Sequence, residues 1–205
     1  MAASTEGMRR PKQARSQDST DKMLDAALEI LSRDGVRGLT ITAVSKLSGS
    51  SNGSLYHRFG DRHGLLIAAQ ARFLSGVEST WTSRSGPIWD SPDLDTLVTR
   101  LVDAFLDIFE AHRKLFQAFM ITSYDDPALR ARGTDTSRSA AAAVAQLLVE
   151  RAGCTPEAAD TAFRVLYAQA VLVVVFSDEE VTATAVGAGE RRRHLFHAVR
   201  AVLRS

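Results

Sequence analysis

The sequence predicts an all-α protein with a small N-terminal helical domain and a larger C-terminal helical domain. Apolar residues recur at spacings of three and four, as in Met23, Ala27 and Leu31, which is the period of an amphipathic helix. No segment shows the alternation of apolar and polar residues that marks a half-buried strand. Acidic or hydroxyl residues followed by proline, as in Asp126-Pro127 and Thr155-Pro156, mark helix starts.

Four helices are predicted in the N-terminal third. The first covers residues 18–34 and ends at Gly35. A short second helix begins at Thr40, ends at Gly49, and turns Ile41, Val44 and Leu47 inward. The third covers residues 51–59, and the fourth follows Gly60-Asp61. We expect residues 1–17 to be a flexible basic arm that carries Arg9, Arg10, Lys12 and Arg15.

The C-terminal part opens with a predicted linker at residues 83–92, which is rich in Ser, Gly and Pro. Ser91-Pro92 has the pattern of a cap followed by a first-turn proline, so a helix should start there and continue through residues 112–123. We further predict a helix from Asp126-Pro127 with an interruption near Gly133, a helix from Thr155-Pro156, a loop at 181–190 and a last amphipathic helix.

Composition excludes several classes of protein. Apolar residues make up 45% of the chain and charged residues 24%, the balance of an ordinary globular protein. The single cysteine, Cys154, allows no disulfide framework, which favours a reducing compartment. The N-terminus lacks the apolar core of a secretory signal, and we expect a cytoplasmic protein. Residues 1–70 carry a net charge of +3 and the remaining residues −2, which weakly favours nucleic-acid contact by residues 1–70.

The second and third predicted helices, separated by a tight turn at Gly49, have the layout of a helix-turn-helix. In that motif the N-terminal end of the second helix enters the major groove of DNA. Such an end must be slim and polar, and Ser51, Asn52, Gly53 and Ser54 satisfy that requirement. We therefore predict an N-terminal three-helix DNA-binding domain at residues 18–64.

Two stretches carry a resemblance to a known family. LTITAVSKLSGSS resembles Thr-x-x-x-Ile/Val-Ala-x-x-Ala-Gly-Val-Ser, and NGSLYHRFGDRHGLL resembles Gly-Thr/Ser-Leu-Tyr-x-His-Phe-x-x-Lys-x-x-Leu. Both are patterns of the TetR family of bacterial transcription regulators. The resemblance implies that Thr40 caps a helix and donates to a phosphate, and that Tyr56, His57 and Arg62 reach the DNA. The candidate DNA-binding residues are Thr40, Ser50, Ser51, Asn52, Gly53, Ser54, Tyr56, His57 and Arg62.

The sequence departs from the family pattern at several positions. Ser45 and Ser48 stand where the pattern has alanine, and Ser50 stands where it has valine. Arg58 replaces a histidine and Arg62 a lysine. Ser50 has two interpretations: it weakens packing at the turn, or it adds a phosphate contact.

The resemblance also implies that residues 65–205 form a helical ligand-binding and dimerisation domain. The ligand cavity of such a domain is mostly apolar, with a few polar groups that orient the ligand. The candidate ligand-binding residues are Phe105, Phe109, Phe116, Phe119, Met120, Tyr124, Tyr167 and Gln169. We expect a largely apolar small-molecule effector and a homodimer formed by residues 157–176 and 190–204. One short recognition helix covers few base pairs, and a two-fold pair doubles the site.

Other functions remain open. Glu190, His194 and His197 fall on one helical face with the spacing of metal ligands, but no further ligand of obvious spacing follows, so we predict no metal site and no cofactor. Arg191, Arg192 and Arg193 favour a solvated or dimer-rim face. No nucleophile and base stand together, which argues against an enzyme. The alternative to a regulator is a small-molecule or metal-sensing helical module without specific DNA binding.

Overall fold

A computed structural model describes residues 10–204, with side chains described from residue 17 onward. Within that range the chain is helical throughout, and the predicted all-α class is confirmed. The helices are α1 (Arg10–Gly38), α2 (Ile41–Ser48), α3 (Asn52–Phe59), α4 (Arg62–Trp89), α5 (Leu94–Ala111), α6 (Arg113–Ser123), α7 (Pro127–Ala152), α8 (Pro156–Val175), α9 (Asp178–Val181) and α10 (Ala188–Val202).

The chain divides into two compact units, and the boundary along the chain lies between Phe73 and Leu74. The predicted domain boundary lies at residues 64 and 65, near the start of α4, whereas the structure assigns the first three turns of that helix to the first unit. Helix α1 begins at Arg10, so residues 10–17 are helical where the sequence suggested a flexible arm. Arg9 lies outside the described residues, as do the side chains of Arg10, Lys12 and Arg15.

The first unit has a small apolar core. Helix α1 packs on α2, and α2 packs on α3. The regular part of α1 ends at Gly35, as predicted, because that residue adopts a left-handed conformation with φ 67°. Ile41 and Val44 of α2 are buried, but Leu47 is 41% exposed and is not the inward residue that the sequence suggested. The core side chains include Met23, Ala27, Ile30, Leu31, Leu39, Val44, Leu55, Leu65 and Leu66.

The second unit is built around α8, which contacts α5, α6, α7 and α10. Asp126 and Thr155 cap α7 and α8 as predicted, since their side chains accept from the first free backbone N–H groups. Helix α7 runs without a break through Gly133, contrary to expectation. His112 separates α5 from α6, where one continuous helix was predicted.

The predicted linker at residues 83–92 is wrong. Helix α4 continues to Trp89 with Pro87 in its last turn. Tertiary contacts hold this segment: Ile88 is buried, and the guanidinium of Arg84 lies 2.9 Å from the carboxylate of Asp107 on α5. The next helix is capped by Asp93, not by Ser91, because its carboxylate accepts from the Thr96 N–H at 2.7 Å.

Candidate functional site

Helices α2 and α3 form the helix-turn-helix that the sequence predicts. Gly49 closes α2 in the left-handed conformation, with φ 69° and ψ 17°. Only Glycine adopts such angles without strain, so the chain can turn sharply here. Two residues later, Ser51 is extended and starts α3. The turn therefore occupies three residues between two helices of eight residues each.

The two faces of α3 differ as a groove-entering helix requires. Asn52, Gly53 and Ser54 are exposed at its N-terminal end. Leu55, directly after them, is fully buried and anchors the helix to the core of the first unit. Among the described residues the Asn52 side chain makes no hydrogen bond, so its amide is available to a base edge.

Two of the candidate hydroxyls also cap helices. The Ser51 Oγ accepts from the Ser54 N–H at 3.1 Å and lies 2.9 Å from the Ser54 Oγ. The Thr40 Oγ1 accepts from the Ala43 N–H at 3.0 Å, which confirms the implied cap of α2. Capping uses an oxygen lone pair, so the hydroxyl proton of Thr40 can still point to a phosphate.

Tyr56 and His57 are exposed on α3, with 54% of Tyr56 accessible. Tyr56 is therefore not a core residue. Two further exposed residues, Thr42 and Lys46, lie four residues apart on the same side of α2 and were not among the candidate DNA-binding residues. The signal for Lys46 was its charge, as one of only four lysines in the chain.

Arg62 has partners that the sequence did not indicate. Its guanidinium donates from Nε to the carbonyl of Leu39 and from Nη2 to the carbonyl of Val36. These carbonyls end α1 and the segment after it, so Arg62 ties the start of α4 to them. The predicted phosphate contact would have to use the remaining guanidinium donors.

The turn itself is held by serine side chains. The Ser45 Oγ donates to the Ser50 carbonyl at 2.6 Å, and both groups are partly buried. The Ser48 Oγ accepts from the Ser50 N–H at 3.3 Å. Ser45 and Ser48 are the residues that stand in place of the alanines of the family pattern.

Several of the candidate ligand-binding residues pack together as an aromatic cluster. Phe105, Phe109 and Phe116 are buried and stacked, with ring centroids 5.2 Å and 4.2 Å apart, and Phe163 and Tyr167 pack against them. Phe119 is buried and Met120 half-buried. Tyr124 is 77% exposed, so it is not a cavity anchor.

Gln169 lies apart from these rings, in a cleft of about 500 Å³ between α8, α9 and α10. Val165, Leu172 and Leu195 supply apolar walls, and His194 adds a polar group. Asp178 closes one end through an ion pair with Arg191 at 2.7 Å. Among the described residues the Gln169 amide has no hydrogen bond, which leaves it available within the cleft.

Comparison with known proteins identifies the DNA-reading part. Residues 23–69 match the profile of the bacterial regulatory proteins of the tetR family. Residues 23–69 therefore form an N-terminal domain of the TetR type. The HTH-type transcriptional regulator BetI of Pseudomonas aeruginosa PAO1 is 30% identical over 112 residues, which cover 53% of this chain and 56% of BetI. The chain thus spans about half the length of the curated relatives it matches.

Solved structures share the fold of this chain. Salmonella enterica GusR superposes with a TM-score of 0.66 at 20% identity, covering 91% of this chain and 96% of GusR. The multidrug binding protein EbrR, complexed with imidazole, superposes with a TM-score of 0.66 at 18% identity. The match covers 92% of this chain and 94% of the EbrR chain. Both likenesses extend over the two units.

The basic run Arg191, Arg192 and Arg193 is not a solvated face as a whole. Arg192 lies 2.7 Å from Glu110, 2.9 Å from Asp107 and 3.2 Å from Asp103, all on α5. Burial alone would lower the pKa of Arg192, but the hydrogen bond to Asp103 and the charges of Glu110 and Asp107 outweigh it and raise the pKa. Of the three arginines, Arg193 is the one that projects outward.

The acidic and histidine residues of α10 do not assemble a metal site. His194 lies 3.7 Å from Glu190. Between residues 17 and 204, no three His, Cys, Asp or Glu side chains are grouped closely enough to hold a metal ion. Burial raises the pKa of the Cys154 thiol, which disfavours the reactive thiolate.

Proposed function

We propose that this chain is a cytoplasmic transcriptional regulator that binds a pseudo-palindromic DNA operator as a homodimer and is released by a small molecule, most simply as a repressor. One observation carries the proposal: the exposed polar end of α3, at Asn52 to Ser54, stands directly beside the buried anchor Leu55. That is the arrangement of a helix that inserts its N-terminal end into the major groove.

DNA binding is tested with fragments selected from genomic DNA. The full chain should bind a small set of fragments, with affinity that falls as salt rises because phosphate contacts release counterions. Asn52→Ala should change which fragments are preferred. Failure to bind any fragment at low salt would overturn the proposal and favour a sensing module that does not contact DNA.

The homodimer is supported by α8. An 18-residue window of this helix has a mean hydropathy of 1.5, yet only 39% of the window is buried. By length and composition it is the one helix within residues 10–204 that could cross a membrane, but core helices of soluble proteins share that property. Its contacts with α5, α6, α7 and α10 make it the central helix of the second unit. The exposed residues of its first half are mostly polar, but from Val165 onward it carries half-buried apolar side chains, among them Val171 and Leu172, that a second copy can cover.

The effector site is proposed in the second unit. The cleft beside Gln169 is the candidate, because Gln169 is one of the expected ligand-binding residues and its amide has no described partner. Its volume of about 500 Å³ falls within the range of small-molecule pockets, and its walls suit a largely apolar molecule. EbrR, which shares the fold, has been crystallised with ethidium and with malachite green.

Release requires that the effector prefer a conformation in which the two recognition helices are wrongly spaced. Half-sites on DNA lie about 34–36 Å apart for one helical turn. By linkage, DNA must weaken effector binding by the same factor by which effector weakens DNA binding. A compound library scored by loss of the DNA complex, then by reciprocal titration, tests this. A compound that binds equally with and without DNA would not be the effector.

A further inference from the structure

The peptide groups of Ser50 lie between two helices and belong to neither. Gly49, before it, is left-handed, and Ser51, after it, caps α3 with φ −76° and ψ 151°. Neither the N–H nor the carbonyl of Ser50 takes part in a described backbone–backbone hydrogen bond of the turn. Both instead bind side chains of α2: the carbonyl accepts from the Ser45 hydroxyl, and the N–H donates to the Ser48 hydroxyl.

We propose that Ser45 is a positioning residue. Its hydroxyl holds the Ser50 carbonyl, which sets the orientation of α3 on α2 and so contributes to reading the DNA sequence. This inference rests on the proposed function for its consequence, but its geometric part stands without DNA. We call the two bonds from Ser45 and Ser48 to the Ser50 peptide the serine clasp.

The clasp acts at the point where a small rotation matters most. Ser51 follows Ser50 directly and caps the first turn of α3, so the Ser50 carbonyl fixes the plane from which that turn begins. The Ser45 bond is 2.6 Å long and partly buried, which makes it the stronger of the two, while the Ser48 bond is 3.3 Å long. Removing the donor of even a partly buried carbonyl costs free energy, so the turn resists leaving this arrangement.

The sequence of the turn indicates that two serine hydroxyls replace an apolar side chain as the group that holds the turn. The family pattern that this segment resembles has valine at position 50 and alanine at positions 45 and 48. Alanine has no hydroxyl, so a chain with that pattern cannot form the clasp and must rely on the apolar side chain at position 50. Here that side chain is a hydroxymethyl group, and the two positions that can compensate both carry hydroxyls. The serine clasp therefore holds the turn in the absence of the valine.

Base contacts and phosphate contacts should depend on the clasp differently. Hydrogen bonds to base edges need the side chains of α3 in place to within a fraction of an ångström. Phosphate contacts from Thr40 at the start of α2 do not pass through the turn. Loss of the clasp should thus weaken binding to the preferred fragment more than binding to unrelated DNA.

The experiment uses the full chain and the tightest genomic fragment selected above, with a scrambled duplex of equal composition as the non-specific ligand. Ser45→Ala should weaken the specific complex about five- to tenfold, the size expected for one buried hydrogen bond. Non-specific affinity should change less than twofold, and the salt dependence should stay the same. Ser45→Thr, which keeps the hydroxyl, should restore specific binding. Ser139→Ala, an exposed serine on α7, is the matched control and should have no effect.

Equal losses on both duplexes, or no loss on either, would overturn the positioning role. Hydrogen exchange of the DNA-free protein separates this outcome from failure of the proposed function. Ser45→Ala should speed exchange of the amides at residues 49–55, and Ser139→Ala should not. Unchanged exchange there would show that the clasp does not hold the turn, whatever the protein does with DNA. A wild-type chain that binds no fragment would instead refute the regulator itself.

Discussion

Arg62 shows how one side chain can serve the fold where a DNA contact was expected. Its guanidinium donates to two backbone carbonyls, of Val36 and Leu39, at the end of the first helix. Arg62→Ala should lower the free energy of unfolding by about 1–2 kcal/mol, since two carbonyls lose a charged donor near the surface. Arg62→Lys should not restore it, because an ammonium cannot match two carbonyls with a planar fork. Urea unfolding measures the change.

The matched control is Arg138→Ala on α7, an exposed arginine with no described partner. It should leave stability within about 0.5 kcal/mol of the wild type. The phosphate role of Arg62 is tested separately: a lost contact flattens the salt dependence of DNA affinity by about one unit of slope. Full stability loss with an unchanged slope would leave Arg62 with its structural role alone.

Asn52 is the residue to examine for base reading. Its exposed amide can bond an adenine edge in the major groove, a contact that discriminates by about 1–3 kcal/mol against a wrong base. Asn52→Ala should therefore reorder the preference among half-site variants, measured by competition binding. If affinity fell by the same factor on every sequence, Asn52 would not read bases.

Local sequence predicted those residue roles that depend on near neighbours. The cap at Thr40 acts on an N–H group three residues ahead, so a local pattern could predict it. The partners of Arg62 lie 23 and 26 residues away, and no local pattern can show them. Tyr124 failed for the same reason: only the packed fold reveals that its ring lies outside the aromatic cluster.

At the scale of elements, the turn glycine and a helix glycine should respond oppositely to substitution. Gly49→Ala puts a Cβ at φ 69°, where an L-residue is strained, and should destabilise the protein by about 1 kcal/mol. Gly76→Ala lies inside α4 with open space around the new Cβ and should stabilise it by about 0.5–1 kcal/mol. Thermal unfolding of both variants checks the pair; shifts of the same sign would contradict the assigned turn.

The prediction of helices and loops was wrong where local composition and tertiary contacts favour different structures. Residues 83–92 have the Ser, Gly and Pro content of a linker, yet they mostly continue α4. The hydroxyls of Ser83 and Ser85 donate to carbonyls one turn earlier, at 2.8 Å each, and so need no solvent. Burial of Ile88 then adds apolar contact that the sequence window does not contain. Helix starts with a cap and a proline, at Asp126 and Thr155, needed no such help.

At the scale of the whole molecule, the proposed homodimer depends on the part of α8 that the other helices leave accessible. Ala168 is exposed on that helix and lines the cleft toward α10. Ala168→Arg places a charged, long side chain on the proposed interface and should raise the dimer dissociation constant at least about tenfold. Sedimentation velocity measures this against the 22.3 kDa mass of one chain.

Ala143→Arg is the control, because Ala143 is an exposed alanine on α7, away from the proposed interface helices. It should leave the dimer intact. If Ala143→Arg dissociated the dimer and Ala168→Arg did not, the interface would lie elsewhere. The order of the helices was predictable from the sequence, but their uncovered side was not, since it depends on which helices surround α8.

Arginine side chains fasten helix ends throughout both units. Arg113 donates to the carbonyl of Phe176 at 3.0 Å, Arg130 to Ser123 at 3.1 Å and Arg151 to Ser91 at 2.9 Å, in addition to the bonds of Arg62. Many of the remaining arginines face carboxylates, as Arg192 does. A carboxylate offsets the charge of the arginine that faces it, whereas an arginine bound only to carbonyls keeps its full charge and still attracts a polyanion. The association rate with DNA should therefore fall as ionic strength rises, because these arginines keep their charge.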